Sequence, residues 1–373
     1  MATYKSKILA RSPFFITATG SQYILTATLD LYIWSGDSST DKPASPNYTI
    51  VKTAATPTSE NIVFEISQLI RDYFEYTSDN ITPITFDSNQ VTLDSGVYTF
   101  DNGNSTNALW VETELTVTQT TDPQPSVVND LYLALDGYGY FDEGVNPQGT
   151  NVISNKIQIK PLDDVLIPVY LSDTDGVDRV DYLLNSSVVA SPDLSGFLSS
   201  DNSWDKIKYL VYSGDADEIK LYRDSTLLDT VSVEYIDECK YTPKQIKFFA
   251  KNGLLEQIYM FKKSTQSISV SRDEYLSFMG GIGVDGYFYN TGHHNARTFN
   301  VSGSEKVVLN SGFVDELQNE FFKQLLLSEF VWLDDKPVRV SSSSLEYKTR
   351  VNDKLINYTI ELEYSNNVIN NIY

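Results

Sequence analysis

Alternation of apolar and polar side chains is the strongest pattern near the start of the chain. The run 22–34 carries an apolar side chain at every second position, and a period of two residues is typical of a β-strand with one buried face. The predicted buried face consists of Tyr23, Leu25, Ala27, Leu29, Leu31 and Ile33. Pro43 and Pro46 lie in the turn that ends this strand, and 47–52 is predicted to be the next strand.

Two stretches follow the period of an amphipathic α-helix instead. The first is 62–76, with Ser59 as its predicted N-cap and an apolar stripe of Ile62, Ile66, Leu69, Ile70, Tyr73 and Phe74. The second is 313–328, with Ser311 as its predicted N-cap and an apolar stripe of Val314, Leu317, Phe321 and Leu325. Because such stripes need a surface that covers them, we expect both helices to pack on sheets.

The middle of the chain is predicted to be a series of short strands. Six strand-like runs lie between 151 and 237, and Gly, Asn, Asp and Pro separate them. This spacing is typical of an immunoglobulin-like or fibronectin-like β-sandwich. Asn252 and Gly253 lie between two later strand-like runs, and Asn-Gly is a preferred dipeptide of β-hairpin turns.

These patterns predict a mainly β fold: two or three antiparallel, sandwich-like modules with two amphipathic helices packed on their sheets. The chain has 373 residues, enough for several separate cores. Pro123 and Pro125 mark a linker, so we place the first boundary after Asp122. The predicted modules are an N-terminal β-rich module with the first helix (1–122), a central sandwich (123–237) and a C-terminal β module with the second helix (238–373).

The net charge of the chain disfavours two classes of partner. Lys and Arg total 28 against 50 Asp and Glu, for a net charge of -22, so the field around the protein repels nucleic acid and anionic membranes. We therefore expect neither as a partner. The 25 Tyr residues favour contacts with other proteins, because Tyr is enriched at interfaces.

Cysteine content and hydropathy indicate where the protein is made. Cys239 is the single cysteine, which excludes an intrachain disulfide and suits a reducing cytoplasm; we interpret it as a small buried apolar residue. The N-terminal residues lack the apolar stretch of a secretory signal. No run of about eighteen apolar residues occurs, so we expect no membrane-spanning helix.

Two motifs resemble ligand sites only in part. Gly281, Gly283 and Gly286 match the dinucleotide-binding glycine pattern, but no βαβ unit surrounds them, so we interpret the segment as a glycine-rich loop. Asp173, Asp175, Gly176 and Asp178 resemble a fragment of a calcium loop. Its twelfth position is Leu184 instead of an acidic residue. An acidic turn is the favoured interpretation, and calcium binding stays open.

Catalytic chemistry finds little support in the residues. His293 and His294 are the only histidines, and adjacent side chains of an extended segment point apart, so they predict neither a metal site nor a nucleophilic triad. Hydrolysis by a pair of carboxylates stays open, since close acidic pairs are certain among 50 acids. We predict no catalytic, cofactor-binding or metal-binding residue.

Aromatic residues supply the candidate interaction sites. Tyr138, Tyr140 and Phe141 lie in one loop, which is predicted to be a packed or interfacial loop, with a sugar-binding platform as the alternative. We predict packing or interface roles for four more residues: Trp332, Tyr358, Tyr364 and Tyr373. The last of these ends a polar tail that is a candidate docking segment.

Several structural segments carry a family resemblance. They are 10–16, 29–36, 64–74, 133–148 and 330–373. Together they resemble virion structural proteins of tailed bacteriophages, of the kind found in the tail or baseplate. The resemblance implies a multi-copy β-rich component of the virion tail, held by contacts with other tail or baseplate proteins and with copies of itself, and it supplies no catalytic positions.

The expected function is therefore a non-enzymatic ring subunit or fibre adaptor of a phage tail or baseplate. Three alternatives stay open: a receptor- or glycan-binding module of the tail, a neck or head-associated structural protein, and a wall-degrading hydrolase.

Overall fold

The computed structural model describes residues 3–20, 23–36, 40–58, 61–77, 90–94, 96–100, 108–120, 125–147, 156–172, 176–198, 207–314, 316–342 and 356–369. Strands far outnumber helices in these ranges. The predicted mainly β class, with antiparallel sheets and amphipathic helices packed on them, is confirmed. No helix in these ranges is long and apolar enough to cross a membrane.

The first third of the chain forms a twisted sheet with one helix against it. Its elements are β1 (Thr3–Leu9), β2 (Phe15–Ala18), β3 (Ile24–Trp34), β4 (Tyr48–Thr58), β5 (Ile62–Glu65), α1 (Ser67–Thr77), β6 (Gln90–Asp94), β7 (Val97–Phe100), β8 (Ala108–Gln119) and β9 (Ser126–Leu135). Five of these strands form one sheet in the order β1-β9-β8-β3-β4, with β1 parallel to β9, whereas β6 and β7 belong to a sheet of the central region. β2 and β5 form a small separate sheet.

The predicted buried face of β3 is correct except at its beginning. Leu29, Leu31 and Ile33 are fully buried. A register shift after Ile24 changes the alternation, so Ile24 faces the core while Tyr23 is 54% exposed.

The predicted helix 62–76 begins too early. Residues 62–65 are strand β5, which pairs with β2, and α1 begins at Ser67. The cross-strand pairing of Ile62 with Ala18 favours an extended backbone there, which the helical spacing alone does not reveal. The rest of the stripe is correct, because Ile66, Ile70 and Phe74 lie in the core. The predicted cap Ser59 lies outside the described residues.

Two sheets face each other in the middle of the chain. The elements are β10 (Lys156–Ile159), β11 (Val165–Tyr170), β12 (Arg179–Leu184), β13 (Ser187–Ala190), α2 (Ser195–Leu198), β14 (Ile207–Tyr212), β15 (Glu218–Arg223) and β16 (Thr226–Tyr235). One sheet has the order β10-β16-β15-β12-β13 and the other β11-β14-β7-β6. Tyr182 of the first sheet and Tyr212 of the second stack with ring centroids 4.5 Å apart, so the two sheets share one core.

Strand pairing crosses the boundary placed at Asp122. β9 follows that boundary in sequence but pairs with β8 and β1. β7 precedes it but pairs with β14 of the central sandwich. The three modules as folding units stay predictions; their sheets exchange strands at this boundary.

The last third of the chain is a seven-stranded sheet with a helix on one face. Its elements are β17 (Lys244–Phe249), β18 (Leu255–Met260), β19 (Thr265–Leu276), β20 (Gly280–Gly283), β21 (Gly286–Tyr289), β22 (Ala296–Val314), α3 (Asn319–Leu327), β23 (Val331–Leu333), β24 (Lys336–Val340) and β25 (Ile356–Tyr364). The sheet order is β18-β17-β23-β24-β25-β22-β19. The predicted Asn-Gly hairpin is confirmed: β17 and β18 are antiparallel neighbours, and Gly253 has a φ of 77°.

The predicted helix 313–328 also begins too early. Phe313 and Val314 are the last residues of β22 and pair with β25, and α3 begins only at Asn319. Ser311 does not cap a helix. Its hydroxyl accepts a hydrogen bond from the Tyr358 amide at 3.0 Å, so pairing with a distant strand decides the conformation of this segment.

We expect Phe322→Ala to lower the free energy of unfolding by about 3–5 kcal/mol, because removal of a buried aromatic ring leaves a cavity. Phe322 is fully buried, and its ring centroid lies 4.5 Å from that of Tyr358. The matched control is Phe313→Ala, which should cost about 0.5 kcal/mol or less because that side chain is 64% exposed. Urea denaturation followed by tryptophan fluorescence measures both; equal losses would contradict the packing of α3 on the sheet.

Candidate functional site

A two-stranded arm extends from the edge of the C-terminal sheet. We define the arm as residues 265–304: β19, the hairpin β20–β21, and the first half of β22, which pairs antiparallel with β19. Every residue of β19 is exposed, and no residue from 265 to 300 is buried. The second half of β22 continues into the core, so the arm and the core share one strand.

The arm exposes many large apolar side chains. They are Ile268, Val270, Tyr275, Leu276, Phe278, Ile282, Val284, Tyr287, Phe288, Tyr289 and Phe299. Monomeric soluble proteins rarely expose apolar patches of this kind, and an isolated two-stranded hairpin is only marginally stable in water. An exposed apolar surface of this kind is a candidate interaction surface.

The glycine pattern lies at the end of the arm, in the tip, which we define as residues 278–289. Gly281 and Gly283 belong to β20, and Gly286, with a φ of 109°, begins β21 after a two-residue turn. A Cβ at Gly281 would lie 2.7 Å from Cζ of Phe288, so this ring covers the glycine. A strand follows the pattern where a phosphate site would need a helix, so the glycines build a hairpin.

The two histidines lie in a cleft beside the tip. His293, His294, Arg297 and Thr298 line it, and its volume is about 550 Å³. The His294 carbonyl accepts a hydrogen bond from Arg297 Nε at 3.5 Å. The part of the chain that the structure describes contains no group of three His, Cys, Asp or Glu that could hold a metal.

The candidate calcium loop is described only in part. Asp173 and Asp175 lie outside the described residues. Gly176 is buried, and the Asp178 carboxylate accepts a hydrogen bond from the Asp224 amide. Calcium binding at this turn stays an open alternative.

The two tyrosines of the predicted aromatic loop pack against distant segments of the chain. The Tyr140 ring has Lys323 Nζ 3.3 Å and Lys251 Nζ 4.4 Å from its centroid. Its hydroxyl donates to Glu320 Oε1 of α3 at 2.6 Å. The two lysines occupy the ring face that a sugar would need. Because Lys251, Glu320 and Lys323 belong to the C-terminal part of the chain, the same contacts join the first sheet to the C-terminal sheet.

Tyr138 and Phe141 differ sharply in their surroundings. The Arg11 guanidinium lies 5.2 Å from the Tyr138 ring centroid, and the Tyr138 amide donates to the Lys251 carbonyl at 2.7 Å. A Cβ at Gly137 would lie 2.6 Å from that same carbonyl, which explains the glycine at this close approach. Phe141 is fully exposed, so it alone of the three aromatic residues is free to meet a partner.

The packing of this loop shifts the pKa values of three of its side chains. Burial raises the pKa of Tyr140, and its hydrogen bond to Glu320 raises it further. Burial also raises the pKa of Tyr138 to about 12. For Glu143, burial opposes ionisation, but hydrogen bonds from Lys251 Nζ and from the Tyr140 amide outweigh it, and the pKa lies below its ordinary value.

Of the remaining predicted residues, Tyr358 lies in the C-terminal core, and Trp332 lies in a separate apolar cluster that joins the C-terminal sheet to the central sandwich. Trp332 and Tyr358 are each 3% exposed, and Trp332 packs edge-on against Phe249 at 5.7 Å. Tyr364 is partly buried against the core that contains Tyr358. Tyr373 lies outside the described residues. Whether any of them meets a partner stays a prediction.

The predicted burial of Cys239 is wrong, and the sequence patterns did not predict the arm. Cys239 is exposed instead of buried, because it lies in the loop between β16 and β17. Sequence reasoning did not single out the arm as a site. A usable signal exists in the run 275–289, which combines aromatic and glycine residues with a single charged residue, Asp285.

Comparisons with known proteins add little. No family model matches the chain, and no curated protein is similar to it. A solved structure described as the periplasmic chaperone SfaE is 11% identical over 63% of this chain and 97% of the chaperone chain, with a TM-score of 0.19. A likeness this weak carries no argument about fold or function.

We expect Tyr140→Ala to lower the free energy of unfolding by about 2 kcal/mol, because it removes the contacts with both lysines and with Glu320. The neighbouring change Phe141→Ala is the matched control and should cost about 0.5 kcal/mol or less, since that ring is fully exposed. Thermal and urea denaturation measure both. A larger loss for Phe141→Ala would contradict the structural role of Tyr140.

We also expect a pH dependence from Glu143. Its folded-state pKa lies below the ordinary value of 4.5, so its stabilising contribution is present above about pH 4.5 and is lost as the pH falls through the folded pKa. Glu143→Gln should therefore be less stable than wild type at pH 7, and the difference should shrink in acid. Urea denaturation at several pH values measures this, with the exposed neighbour change Asp142→Asn as control. A constant difference would refute the assignment.

Proposed function

We propose that this protein is a non-enzymatic structural component of a tailed phage virion, in the tail or baseplate, where it assembles through protein contacts as a ring subunit or fibre adaptor. The projecting apolar arm is the observation that carries the proposal. A protein that works alone in solution gains nothing from an exposed hairpin of this composition, whereas an assembly component uses it to reach a neighbour.

The charge distribution supports a protein partner for the arm. The arm contains Arg272 and Arg297 against Asp273, Glu274 and Asp285, a net charge of -1 in a chain of -22. The acidic body keeps subunits soluble before assembly, while the nearly neutral arm can approach other subunits with little repulsion. Asp285 at the apex of the tip opposes insertion into a bilayer.

The glycan-binding alternative loses its main support. Its candidate platform needs open aromatic rings, but Lys251 and Lys323 lie over the Tyr140 ring, and Arg11 lies over the Tyr138 ring. Phe141 alone is a small platform for a sugar. The assembly proposal therefore has the stronger physical support.

The direct experiment is quantitative mass spectrometry of purified phage particles. We expect the polypeptide in particles at a fixed low ratio to the major capsid protein, set by the rotational symmetry of the tail. Separated tails should retain it. Absence from particles would overturn the proposal, and enrichment with heads or necks would move the protein to the head-associated alternative.

A variant tests the role of the arm in the same particles. Val284→Ser combined with Tyr287→Ser removes the two most exposed apolar side chains of the tip, which are 106% and 88% exposed. We expect the variant to fold normally but to be reduced in particles by about tenfold or more, as at interface hot spots. The control Leu162→Ser changes an equally exposed residue, 101%, outside the arm and should be incorporated like wild type.

A further inference from the structure

Among the described strands, β19 is an open edge of the seven-stranded sheet. It is the last strand in the order and pairs with β22 on one side. The opposite edge strand, β18, is different, because all six of its residues are buried. An exposed edge presents free backbone donors and acceptors and can pair with a further strand.

β19 lacks two of the usual protections against edge pairing, although it carries three charged residues, Arg272, Asp273 and Glu274. The segment Thr265–Leu276 contains no proline and no lysine. A register shift occurs in its pairing with β22, but the extra residue lies on β22, where Asn300 has a φ of 49°. The free edge of β19 therefore stays regular over its length.

The side chains of β19 are complementary to a second copy of the same strand. Val270, Arg272, Glu274 and Leu276 share one face, because successive strand residues alternate. In an antiparallel pair with a twofold axis at Asp273, Val270 lies opposite Leu276 of the second copy. Arg272 lies opposite Glu274 of the second copy. Symmetry produces each pair twice, so apolar residues meet apolar residues and opposite charges meet.

Neighbouring registers fail this test. An axis at Arg272 places two arginines opposite each other and sets Val270 against Glu274. An axis at Glu274 places two glutamates opposite each other and sets Arg272 against Leu276. Like charges directly opposite destabilise a strand pair. Each of the three axes has one such pair at its centre, but only the axis at Asp273 also gives apolar–apolar and opposite-charge pairs around it, so Asp273 is the favoured centre. Its own like-charge contact is softened by Asn300 Nδ2, which donates to Asp273 Oδ2 at 2.8 Å.

We propose that β19 pairs antiparallel with β19 of a second copy of this chain, about a twofold axis at Asp273, so that two seven-stranded sheets become one continuous sheet. The contact uses the nearly neutral arm and keeps the acidic bodies away from its centre. The partner of the unpaired edge of β19 is thus a second copy of the same strand. It concerns the protein in solution and does not depend on a place in a virion.

Charge reversal tests the pairing. Analytical ultracentrifugation of the full chain should show a monomer–dimer equilibrium. Arg272→Glu and Glu274→Arg should each weaken the dimer by about tenfold or more, because each places like charges opposite each other twice. The double variant restores opposite charges and should recover the dimer. Lys336→Glu reverses an exposed charge on another strand and should leave dimerisation unchanged.

Two results would overturn the pairing. One is a wild-type protein that stays monomeric at every concentration or forms only trimers or higher rings. The other is a double variant that fails to recover although its circular dichroism matches wild type. Asp273→Asn should strengthen the dimer, since it removes the one like-charge contact while keeping an acceptor for Asn300.

A disulfide test fixes the register independently of charge. In a Cys239→Ser background, Asp273→Cys should form a crosslinked dimer under mild oxidation, because opposite residues of an antiparallel pair lie about 4.5–5.5 Å apart at Cα. Ser267→Cys is the control on the same exposed strand; its two copies would lie about 40 Å apart along the pair. Equal crosslinking at both positions would refute the register. Failure here with normal incorporation into particles would overturn the dimer alone.

Discussion

Main-chain hydrogen bonding along β22 is the interaction on which the candidate site depends. The strand Ala296–Val314 pairs with β19 on one edge and, over its second half, with β25 on the other. Its second half carries Val307 and Leu309 into the core, while its first half leaves the core and builds the arm. Because one continuous strand does both, the arm is held in a defined direction by a strand that is anchored in the C-terminal core.

Contacts between distant segments place this sheet against the rest of the protein. Glu329 forms ion pairs with Arg11 at 3.0 Å and with Arg71 at 3.3 Å. The Tyr140 hydroxyl donates a hydrogen bond to Glu320 and so links the loop after β9 to α3. Exposed ion pairs contribute little individually. The partly buried Tyr140 ring and the close approach at Gly137 supply the shape complementarity that these ion pairs lack. The loop that resembled a binding platform is therefore a structural joint.

The surface separates charge from apolar area. An acidic body and a nearly neutral arm suit the proposed assembly role, since like charge keeps free subunits apart while the arm can approach a neighbour with little repulsion. Exposed apolar side chains on both faces of a two-stranded ribbon cannot be satisfied by one flat contact. An open strand edge and an aromatic tip therefore offer two different modes of association, main-chain pairing for the edge and side-chain burial for the tip.

Local patterns in the sequence were enough to determine the mainly β class, most strands, the Asn-Gly hairpin and the inner face of β3, because a period of two residues and turn chemistry act over a few residues. Tertiary structure decided the rest. Residues 62–65 and 313–314 carry helical spacing but become strands, since pairing with β2 and β25 contributes more than helix propensity. Local sequence patterns predicted neither the exposure of the arm nor the packing of lysines over the Tyr140 ring. Whether an apolar or aromatic side chain is buried depends on which distant segment packs against it, and that choice is made by the whole chain.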